Sequence, residues 1–277
     1  MLQTNASLKK HNTWRIESRA KILFTPNNLN ELKDFLKKNN QPILFLGLGS
    51  NILFNEIGFD GVVILTKNIN EIKINESNII AQCGATLAKV ARITQQKKLH
   101  NLEFFAGIPG TIGGALAMNA GAFGFETWNN ISKVQTIDSK GEIHIRDKED
   151  FLISYRSITA KYKNEYFISA FFELNKNKNN QDIRMLLEKR NQTQPIGLAS
   201  CGSVFKNPKN TYAAKIIEDL GLKGFCINDA CISDKHANFI INKNNATSQD
   251  IKKLINHIQT IAKKELNINL ETEVIIL

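Results

Sequence analysis

At 277 residues, with 42% hydrophobic and 22% charged residues, the chain has material for one large domain or two ordinary ones, and it has no apolar run near the roughly 18 residues of a membrane span. Its formal charge of +10 and pI near 9.4 come from dispersed lysines such as Lys33, Lys37 and Lys38. With no dense basic arm and no aromatic-rich basic strand, nucleic acid is not the expected partner; steering of anionic ligands is the functional use left for the charge.

Residues 1–14 are polar and lack the apolar stretch of a signal peptide. Residues 28–39 place Leu29, Leu32, Phe35 and Leu36 on one face of a short amphipathic helix. In 42–54 an apolar run ends in Gly47-Leu-Gly49-Ser50-Asn51 and then turns apolar again, as strand, loop, and strand or turn. A second helix is expected over 86–99, with Leu87, Val90, Ala91 and Leu99 inward. The run Gly107 to Gly124 holds six of the 16 glycines, interleaved with Ala, Ile, Leu and Met, so it is a packed segment rather than a polar linker. Alternation across Ser139-Lys140-Gly141 predicts a hairpin over 133–146. Polar residues 175–181 read as a surface loop. Thr211 to Leu220 reads as a helix closed by Gly221, His236 to Ile241 as a short strand, and Thr247-Ser-Gln-Asp250 as a capping box. That box opens a helix with Ile251, Leu254, Ile255, Ile258 and Ile261 inward. Val274 to Leu277 is a final strand. Cys83, Cys201, Cys226 and Cys231 contain no Cys-x-x-Cys pair, which argues against a zinc site and a disulfide framework and fits a reducing cytoplasm.

Both glycine loops follow apolar runs, and bare N–H groups in such loops suit a pyrophosphate. Neither has the spacing of the commonest nucleotide folds. The third glycine of a Rossmann fingerprint falls on Ile52, and no Gly-Lys dipeptide exists for a P-loop.

The chain resembles the UDP-N-acetylenolpyruvoylglucosamine reductase family, flavoenzymes that make UDP-N-acetylmuramate for bacterial cell walls. The resemblance rests on blocks in the family's order: Asn12-Thr-Trp14, Leu46 to Asn51, Gly107 to Gly124, Tyr155-Arg-Ser157, Gln194-Pro195, Cys201 to Pro208, Gly221 to Gly224, Lys235 to Ile240 and Glu271 to Val274. Two departures stand out. Arg15 to Arg19 replaces a small Gly-rich turn, and Ile158 replaces a common hydroxyl. Nothing fits the extra tyrosine-bearing loop of the longer form after Asn164, so the chain looks like the shorter form.

The resemblance implies an α+β fold, with a two-lobed FAD-binding domain of the vanillyl-alcohol-oxidase type over 1–190 (lobes about 1–65 and 66–190). A smaller α+β substrate domain over 191–277 would send its C-terminal strand back to the active site. It implies noncovalent FAD, NADPH as co-substrate, UDP-N-acetylglucosamine enolpyruvate as substrate, and a cytoplasmic enzyme. The cofactor residues implied are Gly47, Gly49, Ser50, Asn51, Gly107, Pro109, Gly110, Thr111, Gly113, Gly114, Ala120 and Gly121. Ser203 is the implied proton donor, Arg156 the guanidinium on the enolpyruvyl carboxylate and Glu273 the assisting carboxylate. Glu271 competes with Glu273, since period-two alternation puts both on one face; the motif register favours Glu273. Tyr155, Arg190, Lys206, Asn207, His236 and Asn238 are the candidate substrate contacts. His236 has no metal-like spacing to His100, His144 or His257. Trp14 and Trp128 are expected to pack rather than stack on flavin. The rivals are another flavoprotein of this fold, such as a sugar or aldonolactone oxidase, and a basic nucleotide-binding protein without catalysis. Many such oxidases tether flavin through a histidine near the first glycine loop, and residues 47–60 contain none.

Overall fold

The structure, a computed structural model that describes residues 1–174, 176 and 182–277, divides the chain into two units that interleave in sequence. Met1–Gln3, Ile22–Leu48 and Gly61–Lys189 form the first; Thr4–Lys21, Gly49–Asp60 and Arg190–Leu277 form the second. Apart from Lys176, the expected loop over 175–181 lies outside the described residues.

The first unit is organised around a five-stranded antiparallel sheet. One side of it is the hairpin read from the alternation, Ile131–Asp138 with Ile143–Asp147 at the sheet edge. It continues through Glu165–Glu173 and Asn78–Gln82 to Ile72–Asn75. Helix α1 (Leu29–Leu36) begins where Asn28 accepts from the Glu31 N–H at 3.0 Å. Its Leu32 and Leu36 pack with Val62, Ile64, Ile137 and Ile168 in one core. The strand Ile43–Leu46 runs parallel to Phe59–Leu65, in register from Ile43 opposite Val62. Helix α2 (Leu87–Gln96) and helix α3 (Ile112–Met118) bury Val90, Ala91, Ala115 and Leu116 with Phe104, Phe105 and Trp128 in a second core. The glycine run therefore contains a helix as well as loop, which is why its apolar residues are there. The strands Ser157–Ala160 and Glu165–Glu173 are joined by residues 161–164 alone.

Helix α4 (Ile183–Thr193) carries the chain from the first unit into the second. The core of the second unit gathers Trp14, Leu53, Val204, Phe205 and Ile216 around helix α6 (Ser248–Leu266). The N-terminal segment belongs here because Trp14 is fully buried, its indole donates to the Ile240 carbonyl at 2.7 Å, and Asn242 donates to the Trp14 carbonyl at 2.8 Å. Where the family usually has a Gly-rich turn, Arg15 takes a φ of +58°, with Asn12 bridging Leu8 and Ile16 through its side chain. Helix α5 (Ala213–Asp219) closes with Gly221 N–H to Glu218 O and Leu222 N–H to Ile217 O, at 2.9 and 3.2 Å, a Schellman closure. The capping box on α6 forms as expected, Thr247 and Asp250 reciprocating. Val274 to Leu277 contributes the strand Ile275–Ile276, parallel to Ile52–Leu53.

Two expectations are corrected. The strand expected over His236 to Ile241 is confined to Ile240–Asn242; His236 to Phe239 is a loop whose Phe239 N–H returns to the His236 carbonyl. Cys226 and Cys231 are disulfide-bonded. The strands Cys226–Ile227 and Ala230–Ile232 make a tight hairpin through Asn228-Asp229, with Asn228 at φ +50°, and this sets the two cysteines opposite each other at a Cα separation of 4.1 Å. The turn, not a Cys-x-x-Cys spacing, creates the pairing.

Candidate active site

In the first unit, Gly47 and Thr111 face each other. A methyl group at Gly47 would stand 2.4 Å from Thr111 Oγ1, and that hydroxyl is buried with no hydrogen-bond partner. Thr111 precedes α3 but makes no side-chain cap; its backbone instead bridges to Thr86. Gly110 accepts from Leu87 N–H, and Gly113 lies against Cys83, to whose carbonyl it donates at 2.9 Å. Gly114 is open on its Cβ side, meeting only Thr111 Oγ1 at 4.0 Å. Gly107 ends the short 3₁₀ turn Glu103–Gly107, and Pro109 follows in the connection to Thr111. Ala120 is buried, with its carbonyl taken by Thr127.

Arg156 is not an ordinary surface arginine. The strands Phe151–Ser154 and Ser157–Ala160 pair as a hairpin whose two-residue turn is Tyr155-Arg156, and Arg156 sits there at φ +54°. A bulky residue in that region signals a backbone held by its surroundings. The guanidinium turns inward, with 14% of its side chain exposed. It donates to Gly121 O at 2.6 Å and Asn119 O at 3.3 Å, and stands 3.7 Å from Glu126. Gly121 leaves room for it, since a Cβ there would lie 3.0 Å from Arg156 Nη1. The Tyr155 ring lies below Arg156 at 4.9 Å and is itself exposed. The sequence reading missed Asn119 as the organiser of this corner. Fully buried, it takes the left-handed conformation at the end of α3 and reaches Glu126, Ser154 O and the Trp128 N–H with its side chain. A helix-ending Asn before Ala-Gly was the available signal. Trp128 packs as expected, donating to Leu116 O at 2.9 Å.

In the second unit, residues 203–206 run beside the C-terminal segment. Glu273 N–H donates to Val204 O at 2.8 Å, Lys206 N–H to Glu271 O at 2.9 Å, and Phe205 bridges Thr272. Ser203 and Glu273, 70 positions apart in sequence, are thereby neighbours in the fold. The expectation that Glu271 and Glu273 share a face is corrected. Val274 N–H also points at Val204 O, at 3.4 Å, and the chain bends there, so regular alternation is lost. The Glu271 side chain is 76% exposed and pairs with Lys206 at 3.6 Å, whereas Glu273 is half-buried. Asn51 of the first glycine loop donates to Glu273 O at 3.0 Å and accepts from Ile275 N–H, tying that loop to the C-terminal strand. Gly49, at φ +63°, packs against the N-terminal segment; a Cβ would fall 2.1 Å from His11 O. Ser50 is half-buried between them.

Asn238, expected as a substrate contact, supports the backbone of the segment after Ser203. It is buried, and its amide spends its oxygen on Phe205 N–H at 2.9 Å and its nitrogen on Phe205 O at 2.8 Å, while its carbonyl takes Val204 N–H. It holds the Ser203 segment in place. Asn207 uses its side-chain oxygen on Ala213 N–H at the start of α5. Arg190 and His236 are half-buried. Burial pushes the Cys83 thiol up to about 12 and the Cys201 thiol up to about 11, so neither supplies a thiolate at neutral pH.

Comparison with known proteins gives this arrangement its place. The family described as UDP-N-acetylenolpyruvoylglucosamine reductase, C-terminal domain, matches residues 194–277, and an FAD binding domain matches residues 20–146. The UDP-N-acetylenolpyruvoylglucosamine reductase of Legionella pneumophila (strain Paris) is 44% identical, the alignment covering 98% of this chain and 91% of the relative. That of Coxiella burnetii (strain Dugway 5J108-111) is 41% identical over 96% of this chain and 92% of the relative. The chain belongs to the UDP-N-acetylenolpyruvoylglucosamine reductase family. The crystal structure of the Thermus caldophilus family member superimposes with a TM-score of 0.84 at 27% identity, covering 100% of this chain and 98% of that one.

In this reductase the FAD-binding match spans both glycine loops, and the residues present fit the group. A buried hydroxyl without a partner at Thr111, packed against Gly47, and an open Cα at Gly114 are features that suit close approach of a pyrophosphate to backbone. The C-terminal family match contains Ser203 and Glu273. No helix among the described residues is long and apolar enough to cross a membrane.

Proposed function

We infer that this reductase converts UDP-N-acetylglucosamine enolpyruvate to UDP-N-acetylmuramate at the expense of NADPH. FAD, when bound, accepts hydride from the nicotinamide and supplies it to the enolpyruvyl double bond. Adding hydride to one alkene carbon puts negative charge on the neighbouring carbon and its carboxylate. Arg156 answers that charge with a guanidinium that stays protonated and forks onto a carboxylate. Its left-handed turn and its bonds to Gly121 and Asn119 fix its direction before substrate arrives. Ser203 Oγ gives the proton that completes the new C–H bond. A hydroxyl is a weak acid, and the half-buried Glu273 acts on it from the adjacent segment, electrostatically and by orienting it. Lys206 and Asn207 are substrate contacts, as is Tyr155.

The observation that supports the reading is the backbone pairing of residues 204–206 with 271–274, which brings together the segments that carry Ser203 and Glu273. The test is anaerobic. The yellow protein is bleached with NADPH and mixed with UDP-N-acetylglucosamine enolpyruvate. Return of the oxidised flavin spectrum, with UDP-N-acetylmuramate formed in equal amount, is the expected result; flavin that stays reduced until oxygen is admitted would make the chain an oxidase instead. Colour released on denaturation distinguishes noncovalent from tethered flavin.

A further inference from the structure

Glu126 stands beside Arg156, and the proposed mechanism gives it no task. The strands Gly121–Ala122 and Phe125–Glu126 form a hairpin through Phe123-Gly124, whose φ values are +56° and +83°. Its register sets Gly121 directly opposite Glu126. The Gly121 carbonyl accepts from Arg156 Nη2 at 2.6 Å, and Glu126 Oε1 lies 3.7 Å from Arg156 Nη1. One cross-strand pair therefore engages both tips of the guanidinium fork. A Cβ at Gly121 would stand 3.1 Å from Glu126 Cγ and 3.0 Å from Arg156 Nη1, so this glycine seats both side chains.

Glu126 is itself held. The fully buried Asn119 donates its side-chain amide to Glu126 Oε2 at 2.8 Å and to Ser154 O at 3.2 Å, just before the turn Tyr155-Arg156. The Asn119 carbonyl accepts from Arg156 Nη1 at 3.3 Å. Thr127, the next residue, is tied twice to Ala120 O, by its N–H at 2.9 Å and its hydroxyl at 2.7 Å. Arg156, Glu126, Asn119 and Ser154 thus close a ring within the first unit. An arginine stays protonated, so Glu126 exchanges no proton with it; what this carboxylate supplies is a fixed negative charge. A donor that must meet charge developing in a transition state works through its prior orientation, and a small misplacement is costly. We propose that Glu126 is a positioning residue for Arg156, its charge holding the guanidinium in the orientation that meets the enolpyruvyl carboxylate as hydride is added. This rests on the proposed reaction and on the part of Arg156 in it.

The experiment compares the flavin-loaded wild type with Glu126→Gln and Glu126→Asp in anaerobic stopped-flow. Glutamine keeps the size and an acceptor for Asn119 but carries no charge; aspartate keeps the charge on a shorter stem. In Glu126→Gln, flavin reduction by NADPH should match wild type. The limiting rate of reoxidation by the enolpyruvyl sugar should fall about tenfold or more, as for a misaligned transition-state contact. The substrate concentration giving half that rate should not rise, because removing a nearby negative charge leaves the attraction of Arg156 for an anion intact. Glu126→Asp should recover part of the lost rate. A residue that only supports the fold would slow both half-reactions together. Wild-type reoxidation in Glu126→Gln, equal slowing of both halves, or a loss that appears only as weaker substrate binding overturns the proposal. So does a glutamine variant faster than the aspartate one, which would leave Glu126 as a hydrogen-bond acceptor for Asn119 alone. Should Glu126→Gln fail to fold, Glu126→Asp decides: slowed reoxidation without weaker binding supports the proposal, and normal reoxidation or a second failure to fold overturns it. A wild-type protein that the enolpyruvyl sugar does not reoxidise sinks the proposed reaction, whereas a reactive wild type beside an equally reactive Glu126→Gln sinks this proposal alone.

Discussion

Ser203, Arg156 and Glu273 show how three ordinary side chains become a site through the backbone that carries them. Ser203→Ala should separate the two half-reactions. Flavin reduction by NADPH should continue, while reoxidation by the enolpyruvyl sugar falls about 100-fold or more, as for loss of a general acid; stopped-flow absorbance reads both, and equal slowing would argue against proton donation. For the C-terminal carboxylates, Glu273→Gln keeps size and removes charge, and should leave a yellow, reducible protein that does not turn over. Glu271→Gln should remain active, because that side chain is exposed and its contact with Lys206 is a surface ion pair, worth about 0–1 kcal/mol. Exchange of the two phenotypes would move the catalytic role to Glu271.

Among the elements, the two glycine loops need their glycines for different reasons. Gly49 is required by the protein itself, since His11 O fills the space behind it and φ is +63°. Gly49→Val should therefore lose soluble, folded protein. Gly114 has open space behind it in α3, so Gly114→Val should keep the apoprotein's Tm and lose yellow colour; a fully yellow variant would remove that face of α3 from the flavin site. Helix α6 offers a pH test. Asp250 is held below its ordinary pKa of 3.8, first by the backbone N–H of Thr247, then by hydrogen bonds from Thr247 and Asn228 side chains. A carboxylate depressed in the folded state contributes stability above its unfolded pKa and loses it as pH falls through the folded pKa. Asp250→Asn should cost about 1 kcal/mol at neutral pH, in the range of a lost cap, and the difference from wild type should shrink below about pH 4 in urea melts.

At the scale of the whole molecule, the Cys226–Cys231 bond is the covalent constraint that acts on the unfolded chain. It closes a loop of sequence separation 5, for which chain-entropy reasoning gives an upper figure of about 2 kcal/mol. Reduction by a thiol should lower the unfolding free energy from urea melts by no more than that, leaving flavin colour intact, because the bond staples a hairpin and holds neither glycine loop. A large loss of colour on reduction would contradict this. The net charge of +10 is borne by dispersed side chains, so its place is in association rates with anionic reactants, which salt should slow.

Local chemistry was legible directly. The box at Thr247 and Asp250, the closure at Gly221 and the alternation over 133–146 are each specified by residues within a few positions of one another, so the sequence alone determines those elements. The same holds for the glycine loops, where apolar runs break at Gly47 and Gly107. The family resemblance named Ser203, Arg156 and Glu273, but only tertiary structure decided their setting. Val204 meeting Glu273 and Trp14 meeting Ile240 are pairings across 69 and 226 positions, and no local pattern encodes them. The bend at Glu273 came from two N–H groups converging on one carbonyl, which breaks the alternation that a strand would have imposed. The disulfide came from a two-residue turn that the cysteine spacing did not announce. Asn238 looked like a ligand contact because it is polar within a motif; burial against Phe205 makes it backbone support. Periodicity reports which face of an element is apolar, whereas a site depends on which distant segments that face brings together, and that is set by packing of the whole chain.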